Sequence, residues 1–213
     1  MLKLIDISHY QNITDLNAVK NDGLSGIICK ATDGLLFTDS TFSYRMTHIP
    51  KLGIIPGSYH FARPLQDPVK QSQKYCRTIT PWGPLLTALD LEESHADTQV
   101  SEDWAQNSVD ENCAWVLAWL AEFKKNFVGL PFIYSRYNFM NQYLKGLDLS
   151  TYPSWIADYE SQTSPTLLPY FKTWSCWQRS ESDHEAGIVG PNDLDVFNGT
   201  IEDLKGLLCT PIS

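Results

Sequence analysis

The sequence predicts an α/β protein in which eight strands close into one irregular barrel over residues 1–213. Three observations predict it. Short apolar runs alternate with stretches of helical periodicity, the pattern of a mostly parallel sheet. Eight such runs in 213 residues leave too little chain for eight full helices. The acids and rings that the runs carry cluster at their C-terminal ends, where parallel barrels place reactive groups. Together these specify a TIM-like (β/α) barrel with fewer than eight helices, in one catalytic-sized domain with no internal repeat or linker.

The elements follow in order. Residues 3–8 form the first strand, and residues 14–20 a short helix closed by Gly23. The second strand spans 26–31, a helix 41–52 ends at Gly53, and the third strand spans 54–61. A helix over 67–79 precedes the strand at 85–93. Helical spacing is clearest at 108–127, where Val109, Cys113, Val116, Leu117, Leu120 and Phe123 share a face and Gly129 stands past the end. A fifth strand at 131–135 and a helix at 137–144 follow. Strands at 154–159 and 173–178 flank a loop holding Pro165 and Pro169; an eighth strand at 194–197 and a helix at 201–208 close the chain.

Composition narrows the function. The formal net charge is -9, with no Lys/Arg cluster beyond Lys124-Lys125, which argues against nucleic acid and anionic surfaces. No apolar stretch is long enough to span a membrane. No basic, apolar leader opens the chain, so an export signal is not expected. The five cysteines lack C-x-x-C spacing, which predicts reduced core thiols rather than a zinc site or a disulfide framework. His9, His48, His95 and His184 show no partner spacing for a triad or a metal centre. Neither metal nor cofactor is expected. Aromatic residues make up 12% of the chain, enough to line a sugar groove as well as a core.

The chemistry centres on Leu89-Asp90-Leu91-Glu92. Side chains alternate along a strand, so Asp90 and Glu92 face one way and the leucines the other. Two like charges at the end of an apolar strand resist ionising together, and one is expected to keep its proton. An acid beside a carboxylate is the minimum equipment for breaking an acetal. The other strand ends contribute Asp6, Lys30, Asp33, Tyr59, His60, Tyr134, Trp155, Tyr159, Trp177, Gln178 and Asp193. Lys30 either pairs with Asp33 or meets substrate. Asp193 and Asp195 share a face, leaving open which one reaches the site.

The ordered motifs Ile5-Asp6-Ile7-Ser8-His9-Tyr10-Gln11, Lys30-Ala31-Thr32-Asp33-Gly34, Gly57-Ser58-Tyr59-His60-Phe61, Leu89-Asp90-Leu91-Glu92, Pro131-Phe132-Ile133-Tyr134-Ser135, Trp155-Ile156-Ala157-Asp158-Tyr159, Trp177-Gln178 and Asp193-Leu194-Asp195-Val196-Phe197 resemble glycoside hydrolase family 25, the Chalaropsis-type lysozymes. That resemblance implies hydrolysis of the β-1,4 bond between N-acetylmuramic acid and N-acetylglucosamine in peptidoglycan. It also implies Glu92 as general acid, Asp90 as second carboxylate, and Asp6 and Asp193 as flanking acids. Tyr59, Tyr134, Trp155, Tyr159 and Trp177 would line the groove, with Gln178 and Lys30 beside them. Crowding by Asp90, Asp6 and Asp193 is expected to raise Glu92. Net retention is expected, with Asp90 either attacking the sugar or steadying its 2-acetamido group. The chain departs from the family in having Asp33 where glutamate is usual and a second acid, among Asp193 and Asp195, where asparagine is usual. The rivals are a chitinase, for which the longer acidic signature upstream of Asp90 is missing, and a non-catalytic sugar-binding module. A monomer is expected, made in the cytoplasm and reaching the wall by endolysin-like release or another route.

Overall fold

The computed structural model describes residues 1–93 and 103–212; the polar stretch after Glu93, with His95, lies outside them. Eight strands form the barrel: β1 (Leu2–Ile7), β2 (Gly26–Asp33), β3 (Ile55–Phe61), β4 (Leu86–Asp90), β5 (Phe132–Ser135), β6 (Ser154–Ala157), β7 (Cys176–Asp183) and β8 (Asn192–Phe197). Around the ring they run β1, β8, β7, β6, β5, β4, β3, β2, and pairing of β1 with β2 closes it.

Every neighbouring pair from β1 through β7 is parallel, whereas β8 runs antiparallel to both β7 and β1. The barrel is mostly parallel, as expected, with β8 as its one antiparallel strand. The reason is the connection. No crossover helix separates β7 from β8, and a direct hairpin return can only be antiparallel. Gly187 (φ 82°) and Gly190 (φ 96°) turn that hairpin. At Gly187 an added β-carbon would also lie 2.3 Å from the Asp15 carbonyl, so backbone angle and close approach both require glycine.

The helices with both ends among the described residues are α1 (Leu16–Asn21), α2 (Phe42–His48), α3 (Pro68–Ile79), α4 (Val109–Phe123), α5 (Tyr137–Tyr143) and α6 (Ile201–Lys205). Their starts are written locally. Asp15 accepts from the amides of Asn17 and Ala18, and Asp67 caps α3 ahead of Pro68. Ser108 and Glu111 form a reciprocal capping box on α4. The single helix expected over 41–52 is instead α2 followed by a tighter 3-10 turn, Ile49–Leu52, because Pro50 has no amide to continue the ladder. The helix expected to reach 127 stops at Phe123, and Phe127–Val128 pairs with Thr210–Pro211.

Alternation along the strands divides the core in two. Leu4, Ile28, Ile55, Leu86, Ala88, Phe132 and Phe197 point into the barrel and fill its lower end. Ile5, Ile27, Leu89, Leu91 and Ile133 point outward against the helices, where Trp119 and Phe123 are fully buried. Interior space is tight: a β-carbon on Gly57 would come within 2.9 Å of Ile28 Cγ1. The five cysteines are free thiols.

Candidate active site

Above the apolar plug, the same inward positions turn polar. Asp90 follows Leu86 and Ala88 on one face of β4, and Glu92 continues that face just past the strand. Asp6 follows Leu4 on β1 and lies directly across from Asp193 on β8. Tyr59, Tyr134, Trp155 and Gln178 arrive in the same way from β3, β5, β6 and β7. With Tyr159 they line a cleft of about 230 Å³. It shares Glu92, Glu93, Arg136 and Tyr159 with a larger groove of about 550 Å³ that runs past Tyr137 and Asp158.

The hydrogen bonds organise this ring around one amide. Gln178 Nε2 donates to Asp6 Oδ2 at 2.7 Å, while Gln178 Oε1 accepts from Tyr134 at 2.8 Å and from Tyr159 at 2.6 Å. Three side chains are thereby fixed by a fourth, which lowers the freedom each would lose on meeting a ligand.

The acids carry the electrostatic character. Burial, followed by the influence of Arg136 and Lys30 in the opposite sense, leaves Glu92 pushed up to about 7. Asp193 contributes to that rise, but desolvation dominates, so the expectation that crowding acids set the Glu92 value is corrected. Asp90 is also held well above the ordinary carboxylate range, by burial first and the Glu92 charge second. Its Oδ1 is buried and meets no donor among the described residues. Asp193 is pushed up to about 6, again by burial. The cleft therefore offers a carboxylic acid that keeps its proton near neutrality, beside an acceptor with an unfilled site.

Several expected residues stand elsewhere. Asp195 is fully buried one position deeper than Asp193, accepting from Trp155 Nε1 at 2.6 Å, so Asp193 is the one that lines the cleft. Trp177 does not line it. Strand alternation turns its ring to the face opposite Gln178, where its Nε1 donates to the Asp158 carbonyl at 2.7 Å. Lys30 is also not brought into the cleft. Its Nζ pairs with Asp33 at 3.2 Å and lies 4.6 Å from the Phe61 ring centroid, in a neighbouring pocket with Arg63. Its charge nonetheless favours ionisation of both Asp90 and Glu92. His60 turns outward and is buried behind the barrel wall.

Sequence reasoning missed Arg136, Glu181 and Glu93. Arg136 donates to the Tyr159 hydroxyl at 3.1 Å and stacks over its ring at 4.8 Å. It directly follows Ser135, the last residue of β5, and a position one past a strand's C-terminal end was the available signal. Glu181 gave none, because β7 runs five residues beyond Gln178, farther than its apolar pattern suggests.

Comparison with known proteins is consistent across sequence and fold. The family model for Glycosyl hydrolases family 25 matches residues 5–188. Lysozyme M1 of Streptomyces globisporus is 28% identical over 211 residues, spanning 95% of this chain and 70% of its own. An N,O-diacetylmuramidase of Arthroderma benhamiae is 26% identical, covering 94% and 83%. Among solved structures, a bacterial lysozyme from Streptomyces coelicolor superposes with a TM-score of 0.87 at 28% identity, covering 97% of this chain and 96% of that one.

Proposed function

The chain belongs to glycosyl hydrolases family 25, and on that premise we propose that Glu92 and Asp90 together cleave its glycan with the help of the substrate's own acetamido group. The protein is a glycoside hydrolase, a lysozyme that hydrolyses the β-1,4 bond between N-acetylmuramic acid and N-acetylglucosamine in peptidoglycan. In our reading, Glu92 protonates the departing glycosidic oxygen. Asp90 accepts the acetamido N–H and aligns its carbonyl oxygen for attack on the anomeric carbon. Water, deprotonated by Glu92, then opens the ring intermediate, and configuration is retained.

The observation that carries this is a Glu92 that titrates at about 7, two residues from Asp90 on the same inward face, with both carboxyls lining one cleft. As a cleft-lining carboxyl Asp90 can accept an amide N–H, and binding one favours its ionised form. Asp6 and Asp193 add negative potential under a developing oxocarbenium ion. Tyr59, Tyr134, Trp155 and Tyr159 supply ring faces and hydroxyls for the sugars.

We take the enzyme to act as a monomer on glycan strands, checked by light scattering. The substrate places that action at the bacterial cell wall, reached by endolysin-like release or another export route. The deciding experiment combines two readouts on purified wall. Mass spectrometry of released muropeptides should find muramic acid at the new reducing end, and proton NMR should find the β-anomer formed first. Reducing-end glucosamine, or first formation of the α-anomer, would overturn the proposal.

A further inference from the structure

The cleft and the larger groove beside it meet at Arg136, which lines both. Among the described residues it is the one cation that lines either, and the acids Asp90, Glu92, Glu93 and Glu181 share the cleft with it. The proposed reaction gives it no part. It follows Ser135 at the end of β5, and its side chain is 33% exposed, so a ligand can reach it.

The guanidinium is held in place without being used up. It lies 4.8 Å over the Tyr159 ring and donates through Nη2 to the Tyr159 hydroxyl at 3.1 Å. Tyr159 is in turn tied to Gln178 at 2.6 Å, so the support reaches back to the barrel wall. Its one ion pair among the described residues is with Glu181, an exposed side chain 3.9 Å away, too far for a hydrogen bond. Arginine offers five N–H donors in a flat fork that matches a carboxylate. Only the bond to Tyr159 engages them among the described residues.

Charge indicates what the remaining donors are for. A cleft walled by carboxyls, in a chain of formal net charge -9, needs no cation to accept a neutral sugar polymer. An anionic polymer is different, because it meets repulsion unless an opposite charge waits where its own charge lands. N-acetylmuramic acid differs from N-acetylglucosamine by a lactyl ether on its 3-oxygen. That ether ends in a carboxylate or continues into a peptide that carries one. The substituent is thus the whole difference between a lysozyme's glycan and chitin. A cation already oriented by a ring and a hydroxyl loses little freedom in meeting it.

We infer that Arg136 is a specificity-determining residue that receives the carboxylate carried by the muramic acid substituent. This rests on the lysozyme reading and names the group by which the chain tells muramic acid from glucosamine.

The test is calorimetric binding to the Glu92→Gln protein, in which turnover is slowed, with and without Arg136→Met. Three tetrasaccharides are compared: an alternating glucosamine–muramic acid glycan with free lactyl carboxylates, the same glycan bearing its peptides, and chitotetraose, which has neither. Arg136→Met should lower the ratio of muramoyl-glycan affinity to chitotetraose affinity about tenfold, the low end for one hydrogen bond to a charged group. A fall with the free-lactyl glycan assigns the lactyl carboxylate as the source, and a fall only with the peptide-bearing glycan assigns the peptide. An unchanged ratio for both overturns the inference. The ratio cancels any general loss from a loosened Tyr159 ring. Tyr159→Phe in the same background removes the hydroxyl anchor and keeps the cation, so an equal fall there would also overturn it, since the effect would then belong to the ring. The two levels fail separately. A Glu92→Gln protein that binds neither muramoyl glycan refutes the lysozyme reading and this inference with it, whereas binding with an unchanged ratio refutes the inference alone.

Discussion

Tyr59 and His60 are neighbours on β3, yet they enter two buried polar regions of opposite character. On the outer side of the barrel wall, His60 Nδ1 bonds Thr32 at 2.7 Å and Nε2 bonds Gln71 at 3.0 Å. Gln71 in turn donates to the Arg63 carbonyl, and Ser58 pairs with Tyr75 at 2.8 Å. Those groups pair with one another as neutral partners; burial pushes His60 down to about 3, so it carries no charge. On the inner side, Tyr59 faces Asp6, Asp90, Glu92 and Asp193, whose charges all resist its ionisation. There, acids meet acids, and Asp90 and Asp195 each keep an oxygen without a donor. Burial alone does not mark function, since the outer groups are the more deeply hidden: His60 and Gln71 are fully buried, whereas Tyr59, Glu92 and Asp193 are only partly so. What separates them is the kind of group: the outer ones pair as neutral donors and acceptors, and the inner ones are acids crowded by acids.

The contrast can be broken from either side. The largest effect should come from Glu92→Gln, which keeps shape but removes the transferable proton. Muropeptide release should fall by at least about 10²-fold with the melting temperature little changed. Asp90→Asn should cost about 10²-fold in kcat with KM changed far less, since an amide presents a donor where the acetamido N–H needs an acceptor. Next in size is the pH response. Glu92 must be protonated to act and titrates at about 7, so kcat should decline above that point, approaching tenfold per pH unit. A smaller change is expected for Tyr159→Phe, which deletes one of the two hydroxyls held by Gln178. A bond of about 1 kcal/mol predicts a several-fold loss in kcat/KM. Least of all should His60→Ala touch catalysis per folded molecule. It should instead destabilise by about 1–3 kcal/mol through the unpaired Thr32 and Gln71, read as a lower melting temperature. If His60→Ala abolished turnover while the protein stayed folded, the division between the two regions would fail.

The sequence made the inner region legible through a simple device, the i, i+2 spacing of Asp90 and Glu92, and through the placement of Asp6, Tyr59 and Tyr134 at strand ends. It also displayed the eight-strand rhythm, because buried strands read as short apolar runs. What escaped it was orientation at the rim. Trp177 and Gln178 are adjacent, and only the register of β7 decides which faces inward. Lys30 sits at a register shift between β2 and β3, where simple alternation no longer says where a side chain leads. The choice between Asp193 and Asp195 is a matter of depth along one face, which pattern cannot supply. The direction of β8 was hidden for a related reason, since a strand's apolar pattern is the same read either way.

That last strand has a consequence for synthesis. During synthesis Asp193, directly opposite Asp6 across the β1–β8 seam, emerges almost two hundred residues after it. The two halves of the acidic floor meet only when the barrel is sealed by its final hairpin. A chain still being translated therefore lacks a complete acidic floor until β8 pairs with β1.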